Sequence, residues 1–139
     1  MVNFFVVSEY SQDPPTQAGQ RLKIASNGPL YELARVQALA ANSQQIKALT
    51  KKCLQDVEKL FAGDYDEVAQ LVQCIRASDY QDSEWCESGA GAVAACDAYV
   101  VRRVEDVPGT NQAQVVDYFL KFAIGKAGQL VLMVSCHLS

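Results

Sequence analysis

The residues best suited to chemistry in this 139-residue chain gather near its C-terminal end. His137 is the only histidine, and it closes an apolar run, 130–137, that also holds Ser135. A second run, 115–124, carries Asp117, Phe119 and Lys121. Between the two, Gly125-Lys126-Ala127-Gly128-Gln129 has the glycines of a hairpin loop. Pairing Ile124 with Leu130 and counting outward puts Tyr118, Leu120, Phe122, Leu130, Leu132, Val134 and Cys136 on one face. Asp117, Phe119, Lys121, Met133, Ser135 and His137 fall on the other. A slip of one residue would mix the two sets, so the apolar set supports this register and forms the core. On the second face Asp117 comes roughly opposite His137, with Lys121 one strand step away. An imidazole beside a carboxylate and an ammonium can move protons near neutral pH.

Other chemistries find less support. Five cysteines (Cys53, Cys74, Cys86, Cys96, Cys136) are irregularly spaced, with no CxxC pair, and one histidine does not complete a zinc set. They read as separate reduced thiols, and neither a metal nor another cofactor is expected. The net charge is −4, and from Asp64 to Asp106 ten acids meet three bases, Arg76, Arg102 and Arg103. Such a stretch repels phosphate unless acids and bases lie on different faces, and it would suit a basic protein partner. DNA binding by the chain alone is not expected. The start of the chain has no basic segment and too short an apolar run for a signal peptide, and no run has the length of a membrane helix; a cytoplasmic protein is expected.

The elements that hold these residues follow from the pattern upstream. Residues 1–28 are rich in breakers, including Pro14-Pro15 and Ser26-Asn27-Gly28, and read as an N-terminal arm in which Phe4–Val7 could add an edge strand. Residues 29–139 read as one α+β domain. A first helix starts at Pro29 and carries Leu33, Val36 and Ala40 at helical spacing. Gln44–Leu49 is a short strand or extended link. Thr50 caps a second helix from Lys51 to about Phe61, ended by Ala62-Gly63. Asp64 with Glu67 opens a third, whose Val68, Leu71, Val72 and Ile75 form an apolar stripe. Ser78-Asp79-Tyr80 reads as the cap of a further turn, and 88–95 as a small-residue loop or short helix. Strands at Tyr99–Val104, Val115–Ile124 and Leu130–His137 complete the chain, with a loop at Glu105–Gln114. The fold expected is N-terminal helices packed on one face of a C-terminal antiparallel sheet.

Several segments, in order, resemble the MqsR (motility quorum-sensing regulator) family of toxins from bacterial toxin–antitoxin pairs. Pro29-Leu30-Tyr31-Glu32-Leu33-Ala34-Arg35-Val36-Gln37-Ala38-Leu39 is similar to the family's opening helix. Ile46 to Leu54 resembles its short strand and second helix, and Asp66 to Ile75 its third. Ser78-Asp79-Tyr80-Gln81-Asp82-Ser83 resembles a Ser-Asp-Phe-Tyr-Lys-Ser segment, and Cys96-Asp97-Ala98-Tyr99 a Gln-Asp-Val-Tyr strand. Tyr118-Phe119-Leu120-Lys121-Phe122 resembles Val-Tyr-Leu-Lys-Leu, and Leu130 to His137 the final strand, which ends in Lys or His. The resemblance spans roughly residues 29–137.

The resemblance implies a RelE-like fold and a metal-independent endoribonuclease that cuts single-stranded mRNA and is neutralised by an antitoxin protein. Carried over by position, the family's catalytic Lys, Gln, Tyr and terminal basic residue fall on Asp82, Cys96, Phe119 and His137. With three of the four changed in type, the catalytic set expected here is His137, Lys121 and Arg102. Asp82, Cys96, Asp117, Phe119 and Ser135 are expected to support it or touch substrate. Two other functions compete: a catalytically degenerate relative that binds a partner protein through its acidic surface, and an unrelated α+β interaction domain.

Overall fold

A computed structural model describes residues 4–17, 19 and 22–139. Its elements are β1 (Phe5–Val6), α1 (Leu33–Ala40), β2 (Ile46–Ala48), α2 (Lys51–Phe61), α3 (Tyr65–Gln73), β3 (Tyr80–Glu87), β4 (Ala92–Asp106), β5 (Ala113–Ile124) and β6 (Val131–Leu138). All six strands join one sheet in the order β1-β4-β5-β6-β2, with β3 also paired to β4. β1 runs parallel to β4, and β2 parallel to β6; the remaining pairs are antiparallel. At Val93 and again at Asp97–Tyr99, β4 is paired on both edges, so β1 and β5 share one long edge and β3 holds the other.

This overturns the expected plan of N-terminal helices laid on one face of a C-terminal antiparallel sheet in the RelE manner. The sheet is mixed and dominates the molecule, and strands from the first third of the chain take part in it. The helices have only 8, 11 and 9 residues, too short to build a layer of their own. α2 lies against β6 and β2, while α3 packs chiefly on α1 and α2. Two segments account for most of the difference. Tyr80–Glu87 is an eight-residue strand rather than a capped turn. β4 begins at Ala92, in the segment read as loop or short helix. Residues Ala92 to Tyr99 are all buried, and a strand buried on both faces shows no polar alternation to reveal it.

α1 begins at Leu33, not Pro29, for a specific reason. The Leu30 and Tyr31 amides donate to the Asp97 carboxylate at 2.9 and 3.0 Å, which holds this stretch as a bend against β4 and outside the helix. α2 starts as the sequence suggests: the Thr50 hydroxyl accepts from the Cys53 amide at 3.1 Å, and Ala62, in the left-handed region at φ 51°, closes the helix. α3 is capped by Asp64, whose carboxylate accepts from the Asp66 amide at 2.9 Å.

The β5–β6 hairpin is present, but its register differs from the simple count. Ile124 pairs with Val131, and the Leu130 carbonyl instead accepts from the Gly125 amide at 2.8 Å. That one-residue offset would carry Ser135 and His137 into the core. A bulge between Lys121 and Phe122 restores the phase, with Val134 as the extra residue on β6. Met133, expected on the polar face, is therefore core and 1% exposed, while Ser135 and His137 keep the expected face but change partners: Ser135 pairs with Lys121 instead of Phe119, and His137 with Phe119 instead of Asp117. The Thr50 hydroxyl donates to the Val134 carbonyl at 3.0 Å, which ties the bulge to the start of α2.

The two faces of the sheet follow from these registers. Tyr99, Val101, Tyr118, Leu120, Phe122 and Met133 share one face, with the buried Asp97, and enter the main core with Val36, Val57, Val68, Leu71 and Val72 of the helices. Tyr99 stacks on Phe122 with ring centroids 5.5 Å apart. A smaller cluster forms where Phe4, Val6, Tyr10 and Ile24 pack against Trp85, Val93 and Ala95. The other face carries the residues singled out from the sequence.

Candidate functional site

Asp82, Cys96, Arg102, Asp117, Phe119, Lys121, Ser135 and His137 all fall on this second face, by the pairing of β3, β4, β5 and β6. Within it they divide into a centre, a floor and an outlying group. At the centre is Phe119. The His137 ring stacks on it, with centroids 5.2 Å apart and planes 22° from parallel, and the Lys121 ammonium lies 5.5 Å from its centroid. His137 Nδ1 is 2.9 Å from the Leu138 carbonyl. A carbonyl only accepts, so Nδ1 carries the proton, and in the neutral ring Nε2 keeps its lone pair as the basic nitrogen. Asp117 is not opposite His137 as the first count suggested. It faces Arg102 across β4 and β5, and the two form a forked pair at 3.0 and 3.3 Å. The Arg102 guanidinium holds the Asp117 carboxyl below its ordinary value.

Small side chains, Ala94, Cys96 and Ala98, make the floor and are fully or almost fully buried. Their size lets Lys121 reach across β4 to Glu84 on β3, and both charges of this pair are nearly sealed from solvent at 6% and 3% exposed. Lys23 completes a row of charges, 3.0 Å from Glu84 and 2.6 Å from Asp82. Burial pushes the Glu84 carboxyl up, and hydrogen bonds from Lys121 and Lys23 more than reverse this, leaving it at about 2. Glu84 and Lys23 were not singled out from the sequence. A glutamate two residues after Asp82 on an alternating strand was the available signal, and it required recognising the strand. Cys96, placed here by analogy with a catalytic glutamine, has a buried thiol pushed well above its ordinary value by desolvation.

The stability that Glu84 contributes is present above its ordinary value of 4.5 and is lost as pH falls through about 2. Glu84→Gln should therefore cost about 3 kcal/mol at pH 7, because Lys121 is left as a buried, poorly compensated charge. The gap to wild type should close as pH falls from 4.5 toward 2, where wild-type Glu84 is protonated as well. Urea unfolding at stepped pH reads this directly, and a gap that does not vary with pH would refute the assignment.

Two clefts open on the polar face. One, about 370 Å³, is lined by Lys121, Val134, Ser135, Trp85, Cys86, Glu87 and Gly19. The other, about 250 Å³, is bordered by Arg76, Gln81, Val100, Arg102 and Asp117. Several of the acids of 64–106 are engaged within the fold. Asp64 caps α3, Asp79 accepts from the Arg76 amide, Glu87 from the Gly19 amide, Asp97 is buried, and Glu105 pairs with Arg103. Among the described residues no cluster of His, Cys, Asp or Glu could hold a metal ion, and no helix is long and apolar enough to cross a membrane. All five cysteines are free thiols.

Comparison with protein-family models, with curated proteins and with solved structures gave no match to this chain. The fold and site thus define it on their own terms: a mixed six-stranded sheet with one face given to the core and the other to an aromatic, imidazole and cation group.

Proposed function

We propose that this chain is an MqsR-like toxin, a metal-independent endoribonuclease acting on single-stranded mRNA and neutralised by an antitoxin protein. The observation that carries the reading is the grouping around Phe119: a stacked imidazole on one side, an ammonium on the other, on the face where every residue carried over from the family's catalytic set also falls. Splayed RNA bases bind by stacking on aromatic and imidazole rings, and neighbouring cations take the backbone.

In the reaction, His137 Nε2 accepts the proton of the ribose 2′-hydroxyl. The 2′-oxygen attacks phosphorus, the bond to the 5′-oxygen breaks, and the leaving oxygen takes a proton from water or from the imidazolium. The products are a 2′,3′-cyclic phosphate and a 5′-hydroxyl. Lys121 has three N–H donors; Glu84 anchors it, and from the wall of the larger cleft it stabilises charge building on the phosphoryl oxygens, with the Ser135 hydroxyl beside it. Arg102 meets the strand farther along, beyond Val100.

The test is incubation of purified protein with single-stranded RNA in excess chelator. Cleavage is expected, with cyclic-phosphate ends, and a 2′-deoxy substitution at the cut site should abolish it. RNA that stays intact would favour the non-catalytic, partner-binding reading instead. That reading has its own supporting observation: Lys121 and Arg102 are both already engaged by carboxylates.

A further inference from the structure

We propose that the cleft between Arg76, Gln81 and Arg102 is a second phosphate subsite, which holds the RNA backbone a nucleotide or two from the bond beside His137 and so fixes the direction of the strand across the sheet. The inference rests on the ribonuclease reading and extends it to a residue, Arg76, that the reaction itself does not use.

Position is the first argument. Val100 lines this cleft and pairs directly with Phe119, which in turn pairs with His137. Arg102 lies two residues farther along β4 on the same face. Two inter-strand steps and two residues of rise separate the His137 and Arg102 backbones by roughly 12 Å. The cleft is therefore next to the stacking platform but clear of the reacting bond.

Charge is the second. Among the described residues Arg76 has no side-chain ion pair, although Asp79 is close by in the same cleft. The Asp79 carboxylate is instead taken by the Arg76 backbone amide at 2.8 Å. The Arg102–Asp117 pair is exposed, at 65% and 36%, and an exposed pair holds its partners weakly. Arg102 can exchange Asp117 for a phosphodiester at little cost, and two guanidinium forks can bind its oxygens with the Ser78 hydroxyl and the Gln81 amide as further donors.

The experiment uses two non-cleavable 2′-O-methyl oligomers: a tetranucleotide, and a dinucleotide that has only the phosphate beside His137. Wild type should bind both. Arg76→Ala should weaken the tetranucleotide roughly 3- to 10-fold and lower its salt slope by roughly 0.7, the share of one phosphate contact on a single strand. The dinucleotide should bind the variant as it binds wild type, and Arg76→Lys, which keeps the charge but not the fork, should restore only part of the lost affinity. Tetranucleotide binding that is unchanged in Arg76→Ala, or a loss equal on both oligomers, would overturn the subsite while leaving the ribonuclease reading in place. Failure of wild type to bind either oligomer would overturn both.

Discussion

Alanine in place of His137 is expected to slow RNA cleavage by roughly 10²- to 10⁴-fold, the range that a positioned general base supplies, and to relieve growth arrest when the protein is expressed. The size of the effect follows from the composition of the face. His137 is the only histidine in the chain. Its Nδ1 is committed to the Leu138 carbonyl, which leaves Nε2 as the basic nitrogen. The carboxylates on this face are already engaged: Asp117 by Arg102, Asp82 by Lys23, and Glu84 by both lysines. Among the described residues none of these carboxylates lies against Phe119 as the imidazole does. His137 lies near the end of β6 and only half-buried, so its removal should leave folding nearly intact. An unfolding curve close to wild type, beside a single-turnover rate that falls as stated, is the expected pair of results. A variant that cuts RNA at the wild-type rate would remove His137 from the mechanism.

A stability effect as large as that at Glu84 is expected at Asp97. This carboxylate is wholly buried and accepts from the Leu30 amide at 2.9 Å, the Tyr31 amide at 3.0 Å and the Ser83 hydroxyl at 2.6 Å. Burial raises its pKa, and these three donors pull the other way. Asp97→Asn keeps the shape but turns one acceptor oxygen into an NH2 group facing a backbone N–H or a hydroxyl. At least one buried donor is then unsatisfied, and a loss of about 3 kcal/mol is expected from that penalty with the repulsion beside it. Asp97→Ala should cost at least as much, since it orphans all three donors. The midpoint of denaturant unfolding measures both. A loss under about 1 kcal/mol in Asp97→Asn would show that the carboxylate does not anchor the segment before α1.

Legibility from sequence tracked the kind of signal each element leaves. The β5–β6 hairpin, α2 and α3 were readable because local chemistry marks them: glycines at the loop, Thr50 and Asp64 as caps, apolar residues at helical spacing. The mates of His137, Ser135, Phe119 and Lys121 were placed on the right face, although the starting pair was off by one. Two errors cancelled there, since the count began one residue early and the bulge at Val134 was invisible. Met133 lies upstream of the bulge, where nothing cancelled, and it was misplaced. β3 and the first half of β4 left no such mark. Alanine has little strand preference, and a strand enclosed on both sides need not alternate. Asp97 could be read only as part of a motif; its hold on residues 30 and 31 joins positions 66 and 67 apart in sequence, beyond any local pattern.

That anchor belongs to a wider feature, the parallel strands at the two ends of the sheet. Phe5 waits for Ala92, Ile46 for Val131, and the cap of α2 for the Val134 carbonyl. Each early segment closes only against one far downstream, so the order of synthesis and the order of assembly run against each other. Folds ruled by such distant pairings form in milliseconds to seconds, not microseconds. On the ribosome the helices can form early, but the face carrying Phe119 and His137 comes into being only when β6 docks between β5 and β2. If the chain cuts RNA as proposed, no cleavage is expected before β6 has docked.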